Sequence, residues 1–113
     1  MILVAIGSNL NSTSFGSPEQ NCNAAIDMLG KYFEVTQSSS FYKTEPIPKS
    51  EQPWFVNCIV NIKSKISPSR ILDTLLEIEL QFGRKRNRKN EARVIDLDLI
   101  AYNSLIVNSL ELT

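Results

Sequence analysis

Two aspartates, Asp96 and Asp98, sit two residues apart in the apolar run Arg93-Val94-Ile95-Asp96-Leu97-Asp98-Leu99-Ile100. The run reads as a β-strand, whose side chains alternate between faces. Both carboxylates then share one face, with Cβ atoms roughly 6–7 Å apart, while Ile95, Leu97 and Leu99 point into a core. Adjacent like charges repel unless a cation lies between them. Solvated aspartates on an exposed strand are the plain alternative. The chemistry the pair suits best is a divalent-metal site, because hard oxygen ligands favour Mg²⁺, most of all beside phosphate.

A second carboxylate stands out by position. Glu79 lies four residues after Leu75 and seven after Leu72, on the apolar stripe of a helix, whereas Glu77 falls with Asp73 and Thr74 on the polar side. A carboxylate there is costly unless paired or hydrogen-bonded, and a helix C-terminus disfavours it further. Either Glu79 pairs with an arginine of the basic segment that follows, or it binds donor groups of a ligand. A third feature is Phe55 with Asn57 on one strand face. An aromatic ring beside an amide can stack on a flat heterocycle and hydrogen-bond to it.

The rest of the chain supplies the elements that must position these groups. Its 113 residues suit one domain, 1–113, with a modest core. Lys+Arg and Asp+Glu both number 12, which argues against a nucleic-acid binder or a membrane-surface protein. Six of the 12 basic residues nevertheless cluster just before the aspartates: Arg84, Lys85, Arg86, Arg88, Lys89 and Arg93. Nothing approaches the ~20 apolar residues of a transmembrane helix. The apolar opening Met1–Ile6 lacks a basic flank and the length of a signal core, so a cytoplasmic location is expected. Cys22 and Cys58 read as buried free thiols in a reducing compartment, and the absence of histidine argues against structural zinc.

Residues 2–6 predict a buried central strand ending at Gly7, and Ser8 to Ser17 a loop. Ser17-Pro18-Glu19 predicts a helix start, Cys22, Ala25, Ile26 and Leu29 its buried stripe, and Gly30 its stop. A serine-rich edge strand is expected from about Phe33 to Lys43, then a proline-rich binding loop over 44–53. Trp54 to Lys63 alternates, with Val56, Cys58, Val60 and Ile62 on one face and Phe55, Asn57, Ile59 and Asn61 on the other. Ser67-Pro68 opens a second helix with Ile71, Leu72, Leu75, Leu76 and Phe82 buried and Gly83 at its end. After the aspartate strand, Tyr102 to Thr113 suggests a turn and a short extra strand. The order β-α-β-β-α-β predicts an α+β ferredoxin-like sandwich, with an antiparallel sheet and both helices on one face.

These segments together resemble the 6-hydroxymethyl-7,8-dihydropterin pyrophosphokinase family of folate biosynthesis. The matching stretches run in order: Ile6-Gly7-Ser8-Asn9-Leu10, Ser39-Ser40-Phe41-Tyr42-Lys43-Thr44-Glu45-Pro46, Gln52-Pro53-Trp54-Phe55-Val56-Asn57, Ile78-Glu79 with Gly83-Arg84-Lys85-Arg86, and Arg93-Val94-Ile95-Asp96-Leu97-Asp98. The resemblance implies the same fold and the transfer of pyrophosphate from ATP to the pterin hydroxymethyl group, releasing AMP. It implies that Asp96 and Asp98 hold two Mg²⁺ ions and that Arg84 and Arg93 act catalytically on the triphosphate. Glu79, Arg86, Arg88 and Leu99 would join them at the ATP site. Thr44, Ile47, Phe55 and Asn57 would form the pterin pocket, with Phe55 where the family often has Tyr. The expected partners are these two small molecules, with no nucleic acid or membrane, and the expected state is a monomer.

Two departures bear on activity. Asn90-Glu91-Ala92-Arg93 replaces the family's usual Gly-Pro-Arg entry to the aspartate strand. Family members also continue past the point matched by Thr113, with a Pro-His element, an arginine and a phenylalanine that complete both substrate sites. A chain truly ending there is expected to be a weak or inactive nucleotide- or pterin-binding module of the same fold. An RNA-binding ferredoxin-like domain is a further alternative, but it needs exposed aromatics on central strands, and Ile2 to Ile6 has none.

Overall fold

The computed structural model describes residues 1–46, 51–83, 94–103 and 105–106. The apolar opening becomes β1 (Ile2–Ser8), followed by α1 (Pro18–Tyr32), β2 (Glu34–Ser38), β3 (Tyr42–Thr44), β4 (Phe55–Lys63), α2 (Pro68–Gln81), β5 (Asp96–Tyr102) and β6 (Leu105–Ile106). The strands form one sheet in the order β2-β4-β1-β5-β6, with β3 also on β4, and every pairing is antiparallel. This is the expected α+β ferredoxin-like arrangement. Ile2, Val4 and Ile6 of β1, Val56, Cys58, Val60 and Ile62 of β4, and Leu97 and Leu99 of β5 meet Cys22, Ala25 and Leu29 of α1 and Ile71, Leu75 and Ile78 of α2 in one core. The other sheet face carries the alternate residues.

Local chemistry explains the helix ends. Ser17 Oγ accepts from the Gln20 N–H at 3.3 Å while Gln20 Oε1 accepts from the Ser17 N–H at 2.8 Å, a reciprocal cap worth about 1 kcal/mol. Ser67 caps α2 by position only, since its side chain makes no capping bond. Gly83, at φ +78°, ends the second helix as expected. Gly30 does not end the first. That helix runs on to Tyr32, because Phe33 is buried in the core and its N–H closes onto the Leu29 carbonyl at 2.8 Å.

The serine-rich edge also departs from expectation. Instead of one strand over 33–43, β2 and β3 pair in turn with the same edge of β4. Register shifts between Val35 and Gln37, where Thr36 Oγ1 donates to the Asn61 carbonyl at 3.1 Å. Between the two strands Ser39 bridges the gap: its N–H donates to the Ile59 carbonyl at 2.8 Å, and its Oγ accepts the Ile59 N–H at 2.9 Å. Short, irregular pieces of this kind blunt an exposed edge.

Helix α2 buries Ile71, Leu75, Ile78 and Glu79, with Phe82 just beyond it; Leu72 and Leu76 are half-buried, and Ile78 joins the expected stripe. Cys22 and Cys58 are free and buried. The neighbouring Cys58 thiol, together with burial, pushes Cys22 above the usual thiol range, and Cys22 Sγ donates to the Val56 carbonyl at 3.6 Å. After β5, Asn103 adopts φ 56° and the chain returns as β6. Replacing Leu75, 1% exposed, with alanine should cost about 2–5 kcal/mol in urea unfolding. The same change at the exposed Leu80 should cost less than about 0.5 kcal/mol.

Candidate active site

The register of the sheet lines up the candidate residues on its open face. Gly7 of β1 pairs with Asn57 of β4 on one side and with Asp96 of β5 on the other. In the next row, Ala5 pairs with Ile59 and with Asp98. Asp96 and Asp98 are half-buried on this face, while Ile95, Leu97 and Leu99 are buried on the other. The alternation read from the sequence is therefore the alternation observed. With strands about 4.8 Å apart, the amide and the first carboxylate stand about 10 Å apart across β1.

Small residues keep the floor between them low. A Cβ at Gly7 would lie 3.0 Å from Asn57 Oδ1 and 3.7 Å from Phe55 Cδ1, so a larger residue would displace the amide. Asn57 Nδ2 donates to Thr44 Oγ1 at 2.8 Å, an orientation assigned from its hydrogen bonds. That leaves Oδ1 facing the floor as an acceptor. Thr44 and Phe55 are themselves directly paired between β3 and β4. Three of the four expected pterin contacts are thus adjacent, and Ile47 lies outside the described residues. Asn9, only 2% exposed, fixes the approach to β4: its Nδ2 donates to the Pro53 carbonyl at 3.0 Å and to Gln52 Oε1 at 3.3 Å. Exposed Leu10, Phe41, Tyr42 and Trp54 add apolar surface in the neighbouring segments.

Glu79 also makes a backbone contact that neither reading of its position named. It is 4% exposed, and its Oε2 accepts the Leu97 N–H at 2.8 Å. The carboxylate therefore ties the end of α2 to β5 one residue beyond Asp96. An ion pair with the basic segment lies outside the described residues, as do Arg84, Arg86, Arg88 and Arg93. Leu99 buries its side chain, 1% exposed, in the core opposite Val4, so a contact from this position to a nucleotide would be made by its backbone. A shallow depression of about 500 Å³ lined by Leu3, Gln37, Ser38, Ser39, Ile59 and Asn61 is also present on the sheet, but none of the candidate polar residues lines it.

Sequence reasoning missed Asn9 and Asn21. Asn21 is buried four residues before Ala25 and eight before Leu29 on the same helix face. The helical-wheel argument that singled out Glu79 applies to it equally. Among the described residues, no three His, Cys, Asp or Glu side chains converge as a metal cluster. Two carboxylates alone would leave most positions around a hard cation to phosphate and water.

The fold is that of a ferredoxin-like domain, with an amide and carboxylates in register across its open face. The family model for 7,8-dihydro-6-hydroxymethylpterin-pyrophosphokinase (HPPK) matches residues 3–113, and the chain belongs to that family. It is 35% identical over 112 residues to the 2-amino-4-hydroxy-6-hydroxymethyldihydropteridine pyrophosphokinase of Haemophilus influenzae, covering 97% of this chain and 67% of that protein. The enzyme of the same name from Bacillus subtilis is 32% identical over 102 residues, 88% of this chain and 58% of that protein. A folate synthesis bifunctional protein of Arabidopsis thaliana is 32% identical over 103 residues, 89% of this chain and 20% of that protein. The chain spans about two thirds of the Haemophilus relative and less of the other two. No helix among the described residues is long and apolar enough to cross a membrane.

Replacing Glu79 with leucine should strand the buried Leu97 N–H and lower stability by about 1–3 kcal/mol. Glu79→Gln retains an acceptor and should lose less, a ranking that denaturant midpoints will check.

Proposed function

We propose that this chain transfers pyrophosphate from ATP to the hydroxymethyl group of 6-hydroxymethyl-7,8-dihydropterin, releasing AMP in folate biosynthesis. The observation that carries the reading is the in-register row Asn57–Gly7–Asp96. It sets an amide and a carboxylate on one face, the two kinds of group that a heterocycle and a metal-bound phosphate would each need. Family membership supports the same reading, as do the names of the relatives.

Each group then has a defined task. Phe55 stacks on the pterin ring, and Asn57 Oδ1 accepts from its N–H edge while Thr44 holds the amide in place. Asp96 and Asp98 hold Mg²⁺, two ions by family resemblance. Their hard oxygens fit that cation, and the small floor residues Gly7 and Ala5 leave room above β1 for phosphate. Bound there, Mg²⁺ would supply charge neutralisation for the phosphates. Arg84 and Arg93 grip the triphosphate, with Arg86 and Arg88 assisting, since a planar guanidinium matches phosphate oxygens in pairs. The pterin hydroxyl oxygen attacks the β-phosphorus, the bond from that phosphorus to the α,β-bridging oxygen breaks, and AMP leaves with that oxygen. The hydroxyl proton is lost to solvent. Positioning and charge stabilisation do the catalytic work, with no covalent intermediate. The protein acts as a cytoplasmic monomer.

The aspartate assignment is tested by calorimetric titration of ATP with and without Mg²⁺. Asp96→Asn and Asp98→Asn should each weaken the Mg²⁺-dependent binding by roughly tenfold or more and leave pterin binding in place. Unchanged Mg²⁺-dependent affinity in both variants would refute it.

A further inference from the structure

Asn21 is a carboxamide with no exposed surface, set in the first turn of α1 beside Cys22 and Ala25. Burying an amide is costly unless its hydrogen bonds are made, and here they are. The two hydrogens on its Nδ2 are shared among three acceptors, the Leu10 carbonyl at 2.9 Å, Ser8 Oγ at 3.3 Å and the Val94 carbonyl at 3.4 Å. Its Oδ1 accepts from Ser12 Oγ at 2.6 Å, and that hydroxyl oxygen accepts the Phe15 and Gly16 N–H groups at 2.8 and 3.0 Å. None of these partners belongs to α1.

One side chain therefore joins three separate segments: the exit of β1, the loop over 12–16, and the approach to β5. The third bond matters most for the site. Val94 lies two residues before Asp96, and the Leu97 N–H one residue after it is held by Glu79. The backbone on either side of Asp96 is thus tied down by a buried polar side chain, Asn21 from α1 and Glu79 from α2. Both ties come from the helical side of the sheet, opposite the face where the carboxylates stand. Adjacent carboxylates relieve their repulsion by moving apart, and a strand entry pinned to β1 resists that movement.

We propose that Asn21 is a positioning residue for the aspartate pair, holding the entry of β5 against the exit of β1 through the Val94 carbonyl. The proposal rests on the assignment of Asp96 and Asp98 to Mg²⁺. It predicts that Asn21 sets metal affinity without touching metal, nucleotide or pterin, as partners behind a ligand commonly do.

The test uses Asn21→Leu, which keeps the volume and removes the polar groups, and Asn21→Ser as a smaller variant should the first fail to fold. Leu29→Val, at the far end of the same helix, controls for general loss of packing. Two measurements are made on each: backbone hydrogen exchange of the ligand-free protein, and the Mg²⁺ concentration that half-saturates ATP binding. The Asn21 variants should exchange faster at residues 95–98, and their Mg²⁺ requirement should rise roughly tenfold at wild-type pterin affinity. Leu29→Val should do neither. Unchanged exchange at 95–98 would overturn the proposal, as would faster exchange with an unaltered Mg²⁺ requirement, or an equal loss of pterin binding. A wild-type protein whose ATP binding ignores Mg²⁺ would instead refute the metal assignment, and the exchange measurement would still decide whether Asn21 holds the strand.

Discussion

The register of β1 between its two neighbours is the constraint on which the rest of the molecule depends. It sets Gly7 opposite both Asn57 and Asp96. A slip of one residue would turn every side chain of the slipped strand to the other face. Leucines would then stand where the carboxylates are, and the carboxylates would enter the core. Burial of Val4, Ile6, Leu97 and Leu99 on the helical side therefore fixes polar chemistry on the open side. The core and the site are two faces of one alignment.

Polar groups buried at one end of the sheet make that alignment local as well as global. Asn9 ties the end of β1 to the segment entering β4. Asn21 ties it to the segment entering β5, and Glu79 ties β5 to the end of α2. Each would be expensive in a core without its partners. All three reach backbone groups at or near strand ends, where the ladder gives way to loops and the backbone would otherwise be free to choose among directions. Their carboxamides and carboxylate accept or satisfy backbone groups there, and so they define how chain segments leave the sheet near the candidate residues.

Much of this was legible in the sequence because strand alternation and helical spacing depend only on residue type and position. The faces of β4 and β5, the Ser17-Pro18 start and the stop at Gly83 followed directly. The misplaced carboxylate at Glu79 was visible for the same reason, although its partner was not: sequence shows that a buried polar group needs a bond but not which backbone N–H is left over. Asn21 went unnoticed although its wheel position gave the same signal. Gly30 suggested a stop that burial of Phe33 overrode. The serine-rich edge read as one strand because nothing in its composition reveals the register shift near Thr36 or the break between Ser38 and Tyr42. The alternating pattern puts the Leu99 side chain in the core, where it is found, and the nucleotide role that resemblance gives this position would then fall to its backbone.

The proposed chemistry draws on family membership and on the residues the open face holds in register. An open sheet face carries an amide and an aromatic ring on β4 and paired carboxylates on β5, separated by the glycine floor of β1. The central claim is that this face brings ATP and a hydroxymethylpterin together for pyrophosphate transfer. The most direct measurement is AMP formed from ATP by the purified protein, with pterin and Mg²⁺ each present or omitted. The account predicts AMP only when both are present, in step with formation of the pterin diphosphate. AMP release that ignores the pterin, or no release with every component present, would contradict it.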